Sequence, residues 1–530
     1  MKTLLGCFIA LLALSMMPAY ATATRCATLA TARLPLPSGA GSFAIDSTTL
    51  VAATADVPEH CLVHSHIDSD IHFDVALPTS WNGKMMMEGN GGFGDISGWA
   101  LDYYVTQQYT AVITDMGQTG DPANLLNRPD RIANLFYRST HLVAMAAKEV
   151  TQAYYGKSAT HNYFEGCSRG GSQAMNEAAR YPGDFDGIIA GAPALSSGGA
   201  RLWNEQAVFP QGPENGGLIA SAKVTLLSAA VLRKCDQRDG VADNIVADPR
   251  SCNFSPKDDL PRCKHDVDGP ECFTRAQIGA LQKIHQGPSS NGRATGVPFY
   301  FSGNEGYNYG DIYGVGADIL DYATVVTGFP ENPHLFPDLY DVGIPSANFW
   351  TETMYLRYVL FADPNYQLKN FNFDSKADIQ RYVRGLSLQY PATADLSAYA
   401  EQGGKLIMWH GLADSRVNSE MSREFYEAGA AALGGYRQIK HFDRLFLVPG
   451  TLHCGNGPGP WYFDPVPALE QWVENGQAPK SILGLAPDTN TTQPICAYPK
   501  QARLKSPGAD PSVADSYQCV NLSNEADDVN

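Results

Sequence analysis

Lysine and arginine are scarce in this chain and never cluster. Its 530 residues hold 38 of them against 55 aspartates and glutamates, a formal net charge of -17. A surface of that sign cannot neutralise phosphates, which excludes nucleic acids and other polyanions as partners. Long apolar runs are missing as well. Beyond the N-terminus no stretch approaches the roughly 20 apolar residues that span a bilayer, so a membrane is not an expected partner either. No His/Cys cluster has the spacing of a zinc site, and no segment repeats. What is left is the composition of a large soluble protein, 44% hydrophobic and 18% charged. That is too apolar for disorder and long enough to bury a sizeable core, in one big domain or one domain with an insertion.

One short apolar stretch does exist, at the start. "MKTLLGCFIALLALSMMPAYATATRC" carries Lys2, an apolar segment from Leu4 to Met17 and small residues at Ala19 and Ala21. This is the pattern of a secretory signal spanning residues 1–21, and it places the mature chain in an extracellular or periplasmic compartment. Of the eleven cysteines, Cys7 leaves with the signal and ten remain, an even set where disulfides form. Cys235/Cys252, Cys263/Cys272 and Cys496/Cys519 are close in sequence across polar, turn-rich segments and suit local bridges. Cys26, Cys61, Cys167 and Cys454 are left over.

Several segments share one pattern, a short apolar run ending in glycine or a polar cluster: "KMMMEGNGGFG" (84–94), "TAVITDMG" (110–117), "NYFEGCSRGG" (162–171), "DGIIAGAP" (186–193), "KLIMWHGLAD" (405–414) and "RLFLVPGTLHC" (444–454). Runs of this kind suit buried parallel strands, with function in the loops at their C-terminal ends. Helical stretches lie between them, 139–156 and 171–182, ended by Gly156 and Pro182. The expected fold class is therefore α/β, a mostly parallel sheet with helices on both faces. Residues 196–392 differ in character: a Cys- and Asp-rich part is followed by an aromatic, glycine-rich one, and the strand pattern resumes only after residue 400. We read 22–195 and 393–530 as one core and 196–392 as a domain inserted into it as a lid.

"GCSRGG" (166–171) fits G-x-S-x-G between a strand and a helix. There the glycines permit a strained turn that exposes the Ser168 hydroxyl at a helix N-terminus. A glycine-rich surface loop that happens to contain a serine is the alternative. A serine needs a base, and the base an acid to orient it. In an α/β-hydrolase these follow in the order Ser, Asp or Glu, His, and the loops after two later strands supply Asp414 and His453 in that order. Alone, Asp414 could be a helix N-cap and His453 an ordinary loop residue; together, in order, they point to a triad. Cys167 directly precedes Ser168 and Cys454 directly follows His453. A bridge between them would tie the two loops together beside the reacting atoms, and Cys26 would then pair with Cys61.

An acyl-transfer site also needs two donors for the oxyanion. The amide of Arg169, next to Ser168, is one candidate; Gly92 in "EGNGGFG" is the other, although that loop could equally be a plain turn. In "CDQRDGVADNIVADPRSC" (235–252), Asp236, Asp239 and Asp243 put three carboxylates within eight residues. They suit Ca2+, with the carbonyls of Val241 and Ile245 as further oxygens. A solvated acidic loop is the alternative there.

With these pieces in hand, the sequence resembles the tannase and feruloyl esterase family, which also includes bacterial mono(2-hydroxyethyl) terephthalate hydrolase. The resemblance rests on "WNGKMMMEGNGGFG", "GCSRGGSQAMNEAARYPGDFDGIIAGAPA", "CDQRDGVADNIVADPRSC", "WHGLADSRV" and "LFLVPGTLHCGNGPG". It implies an α/β-hydrolase core with a lid and five disulfides in the pairing above. It implies a structural Ca2+ on Asp236, Asp239, Val241, Asp243 and Ile245, and no organic cofactor. It also implies Ser168 as nucleophile, His453 as base, Asp414 as its orienter, and the Gly92 and Arg169 amides as oxyanion hole. The expected substrate is a small aromatic ester, first of a hydroxycinnamic acid such as ferulic acid, with galloyl and terephthalate esters as alternatives. An acyltransferase, or an inactive relative that binds phenolics, remains the reading outside hydrolysis.

Overall fold

The computed structural model describes residues 24–36, 43–93, 98–118, 121–195, 199–208, 219, 221–305, 347–391 and 393–521. The signal segment, 1–21, lies outside them. In chain order the elements that place the site are β1 (Phe43–Val51), β2 (His60–Ile67), β3 (Ile71–Pro78), β4 (Lys84–Glu88), α1 (Gly98–Thr106), β5 (Thr110–Thr114), α2 (Ser139–Tyr155), β6 (His161–Cys167), α3 (Arg169–Arg180) and β7 (Gly187–Gly191). The inserted part follows with α4 (Ala200–Val208), α5 (Ser221–Cys235), α6 (Arg275–Gln286) and α7 (Lys376–Gln389). The core resumes with β8 (Lys405–Gly411), α8 (Glu420–Ala432), β9 (Asp443–Val448) and α9 (Val466–Asn475). It ends in the hairpins β10 (Ser481–Ala486)/β11 (Thr491–Cys496) and β12 (Lys500–Leu504)/β13 (Tyr517–Asn521).

The strands β1 to β9 form one sheet in the order β1-β2-β3-β5-β4-β6-β7-β8-β9. The first joins, β1 to β2, β2 to β3 and β3 to β5, are antiparallel, and every join from β5 to β9 is parallel. The parallel strands are apolar because both faces are covered: β5 and β7 are buried at every residue, and β8 at all but Lys405. One face packs on α2, α3 and α8 through residues such as Val143, Met175 and Tyr426. The other packs on α1 and α9 through Tyr104, Leu469 and Trp472. Helix α2 stops where Gly156 turns left-handed (φ 72°), its N–H closing on the Gln152 carbonyl, the common glycine C-cap.

The chain leaves β4 in one direction for β5 and returns on its other side to β6, so strand order reverses at β4. A crevice opens above the C-terminal ends of strands at such a reversal, and the loops after β4 and β6 flank it. Between β7 and β8 the described residues add no strand to the large sheet. They bury an apolar cluster of their own, with Leu202, Leu227, Phe273, Leu281 and Phe301, and that cluster runs on into Phe93, Leu135 and Phe136 of the sheet-forming part. The insert is thus anchored at the end of the sheet where the crevice opens. No helix among the described residues is long and apolar enough to cross a membrane.

Candidate active site

Strand β6 runs straight into Ser168, which sits at φ 62° and ψ -114° before α3 begins at Arg169. Positive φ is uncommon for a residue with a side chain, and the surroundings hold it there. The Ser168 N–H donates to the Gly191 carbonyl at 2.9 Å, and the Ser168 carbonyl accepts from the Ser172 N–H at 3.0 Å. The glycines of "GCSRGG" answer to close approach. A Cβ on Gly166 would lie 2.6 Å from the Gly170 backbone, and one on Gly171 would lie 2.3 Å from the Gly191 carbonyl oxygen. A Cβ on Gly89, in the loop after β4, would lie 2.6 Å from the Gly170 Cα, so that loop is pressed against the start of α3.

Above the sheet edge the Ser168 Oγ lies 2.8 Å from His453 Nε2, and His453 Nδ1 lies 2.7 Å from Asp414 Oδ2. Asp414 arrives on the loop after β8 and His453 on the loop after β9. These loops are locked together: the Leu412 N–H donates to the Val448 carbonyl (2.8 Å) and the Ala413 N–H to the Thr451 carbonyl (2.9 Å). Asp414 Oδ1 accepts from the N–H groups of Arg416 and Val417, both at 2.9 Å. Burial pushes the Asp414 carboxyl up, but the charge that His453 takes up and the hydrogen bonds of His410 and His453 outweigh it and hold the group well below the usual carboxylate range. A hydroxyl facing an imidazole that is backed by a buried carboxylate can give up its proton as it attacks.

All ten remaining cysteines are joined, Cys26 to Cys61, Cys167 to Cys454, Cys235 to Cys252, Cys263 to Cys272 and Cys496 to Cys519. The second of these links the residues flanking Ser168 and His453, with their Cα atoms 5.9 Å apart across a sequence separation of 287.

Gly92 and Arg169 are also neighbours. Gly92 is left-handed (φ 42°), and its carbonyl accepts from Arg169 Nε at 3.3 Å. The same guanidinium lies 4.6 Å over the Phe136 ring and donates through Nη1 to Gln389 Oε1 at 3.2 Å, in the insert. Behind this loop, paired across β4 and β6, Glu88 and Glu165 share the Tyr104 hydroxyl at 2.8 and 2.6 Å. Desolvation pushes Glu165 up to about 7 and Glu88 well above its usual range, where Glu165 adds repulsion. Burial therefore favours the neutral form of both carboxyls, and the Tyr104 phenol proton is shared between them.

The acidic loop is closed by the Cys235–Cys252 bridge. Gly240 makes its turn at φ 94°. The N–H groups of Val241, Asp243 and Ile245 donate to Asp239 Oδ1 (3.0 Å), Asp236 Oδ1 (3.3 Å) and Asp243 Oδ1 (3.1 Å). Desolvation, then repulsion from Asp239 and Asp236, pushes Asp243 up to about 6 although its outer edge is exposed. Asp239 is raised for the same reasons, against the pull of Arg503 from β12. Ile245 touches the loop that carries His453, since a Cβ on Gly450 would lie 3.1 Å from its Cγ2.

The family described as tannase and feruloyl esterase matches residues 55–520. The chain belongs to that family. It is a carboxylic ester hydrolase. Among the relatives of this tannase-family chain is a probable feruloyl esterase of Arthroderma benhamiae, 31% identical over 483 residues, covering 84% of this chain and 81% of the relative. Another is the mono(2-hydroxyethyl) terephthalate hydrolase of Piscinibacter sakaiensis, 29% identical over 535 residues, with 87% and 85% covered. Feruloyl esterase B of Aspergillus oryzae superposes with a TM-score of 0.77 over 94% of this chain and all of the other, at 22% identity. Tannin acyl hydrolase of Aspergillus niger gives 0.71 over 94% and 95%, at 20% identity. At such identities the likeness is one of fold, the α/β-hydrolase fold, and it covers the insert as well as the sheet.

Two side chains at the site were not singled out from the sequence. His410 lies against Asp414, and its signal was its place in "WHGLAD", four residues before the acid. The Arg169 side chain ties the loop after β4 to the insert, whereas the sequence points only to its amide.

Proposed function

We propose that this family member is a secreted serine esterase of aromatic acid esters, with Ser168, His453 and Asp414 as its triad. The unbroken chain of short hydrogen bonds from Ser168 to Asp414 carries this reading. Ser168 Oγ attacks the ester carbonyl carbon as its proton passes to His453 Nε2, and Asp414 stabilises the imidazolium. The oxyanion that forms accepts from the amides of Arg169 and Gly92, whose neighbouring loops support this assignment. Collapse expels the alcohol, which takes the proton back from His453 and leaves an acyl ester on Ser168. Water, deprotonated by His453, attacks that ester, releases the acid and restores the serine. The five disulfides support export and removal of residues 1–21. The insert, 196–392, acts as a lid, held to the sheet-forming part through the buried Phe93 and Phe136.

Relatives named as feruloyl esterases put hydroxycinnamoyl esters first. In a panel of methyl ferulate, chlorogenate, methyl gallate and mono(2-hydroxyethyl) terephthalate, the highest kcat/KM is expected on methyl ferulate or chlorogenate. A preference for gallate or terephthalate would replace that substrate assignment. Ester exchange with added alcohol outrunning release of free acid would make the enzyme a transferase.

The acidic loop carries three carboxylates within eight residues, and two of them are pushed up by desolvation and by the charge of neighbouring aspartates, which a hard dication would relieve. Asp236, Asp239 and Asp243, with the carbonyls of Val241 and Ile245, would hold Ca2+ as a structural ion. Stripping it with a chelator is expected to remove about 2–3 kcal/mol of stability relative to Ca2+ at 100 times its Kd, while activity at low temperature stays within roughly twofold because the triad lies on other loops. Identical melting curves before and after chelation would dismiss the site.

A further inference from the structure

Asp414 is held by more than the triad requires. Its Oδ1 is filled by two backbone N–H groups, and its Oδ2 takes His453. A second imidazole, His410, completes the shell: its Nε2 lies 3.2 Å from the same Oδ2 and 2.8 Å from the Val417 carbonyl. The His410 ring is fully buried. Both neighbours of Nε2 are acceptors, so Nε2 carries a proton and shares it between them. Nδ1 faces the Ser422 hydroxyl of α8 at 2.7 Å, a group that can donate. A neutral Nε2–H imidazole therefore satisfies every contact.

We propose that His410 is a positioning residue for the triad: its Nε2–H pins Asp414 Oδ2 and the Val417 carbonyl together and sets how much of the carboxylate's charge reaches His453. The inference rests on the triad reading above. Two donors share one oxygen, and each weakens the other's hold on it. Without His410, the carboxylate would favour the imidazolium of His453 more strongly in the resting enzyme. It would also be free to turn about its side-chain bonds, and the base would lose its fixed orientation. Other charges nearby are already paired. Glu420 and Glu427 hold Arg423, and Asp248 holds Arg250; of these, Glu420 and Arg250 line a small cavity that also meets Asp414 and Tyr300. They are the same with or without His410 and cannot produce a difference between variants.

The test compares wild type, His410→Phe, His410→Gln and Ser168→Ala on whichever ester is turned over fastest. Reactive serines are counted by titration with an organophosphonate. His410→Phe is expected to lower kcat per reactive serine by roughly 100-fold, with KM within about threefold, and to move the acid limb of kcat/KM to higher pH by about half a unit or more. His410→Gln, whose amide can donate where Nε2 did, is expected to recover about tenfold of that loss and return the limb toward wild type. A His410→Phe enzyme with the wild-type kcat and acid limb overturns the proposal. So does a loss explained wholly by fewer reactive serines with the limb unmoved, or a glutamine variant no better than phenylalanine. If the phenylalanine variant does not fold, 15N-histidine spectra of the wild type decide. A His410 that stays neutral and Nε2-protonated across the active pH range supports the role; a doubly protonated or Nδ1-protonated ring overturns it. Activity retained by Ser168→Ala would instead strike down the triad reading, whereas an inactive Ser168→Ala beside an unaltered His410→Phe would remove only this inference.

Discussion

Ser168→Ala should lower kcat/KM by about 10,000-fold or more on every ester that the wild-type enzyme cleaves, because triad members act as a unit and what survives is binding and oxyanion stabilisation alone. Folding should survive the change. Position 168 keeps its left-handed backbone through the bonds of its own N–H and carbonyl to Gly191 and Ser172, and alanine leaves both in place. Only the hydroxyl that faces His453 is removed. A melting temperature within a few degrees of wild type, together with the loss of phosphonate labelling, would locate the defect in chemistry. Substantial turnover by a folded Ser168→Ala enzyme would require a different nucleophile and a different mechanism.

The second large effect concerns the covalent link between the two reacting loops. Replacing Cys167 and Cys454 together by alanine opens a loop closed over a sequence separation of 287. In the chain-entropy treatment such a closure is worth roughly 5–6 kcal/mol, more than most single contacts supply. Activity should suffer separately, since Ser168 and His453 each sit one residue from a sulfur and a displacement of about 1 Å can cost roughly 100-fold in rate. The expected double variant melts well below wild type and, at a temperature where it is folded, shows a reduced kcat with a smaller change in KM. Thermal melts and kinetics below the transition are the measurements. If both are unchanged, the backbone contacts between the loops after β8 and β9, with the elbow glycines, position the pair without help.

Residues differ in how openly the sequence announces their place. Strands β5, β7, β8 and β9 are readable because parallel strands covered on both faces must be apolar through their middle, as "AVI" in β5 and "LIMW" in β8 are. The antiparallel strands β1 to β3 were not singled out. In β2, "HCLVHSHI" buries Cys61, Val63, Ser65 and Ile67 in alternation with half-buried Leu62, His64 and His66, a buried serine and half-buried leucine that hide the pattern until the strand pairs with β1 and β3. The meeting of Ser168, His453 and Asp414 is legible because a strained turn needs glycine locally and the order Ser, Asp, His can be checked along the chain. The insert resisted reading. Its cluster closes against Phe93 and Phe136 from other elements, and no local periodicity records that. His410 was hidden for a related reason: its partners are a carbonyl seven residues on and a hydroxyl twelve residues on, and neither is a motif.

The Arg169 side chain has a consequence for exchanging parts between relatives. One guanidinium grips the carbonyl of the loop after β4, lies on Phe136 and reaches Gln389 in the insert. Transplanting a foreign insert onto this sheet would sever that clasp unless positions 136, 169 and 389 travel as a set. Exchange of the insert is therefore coupled to the residue beside Ser168.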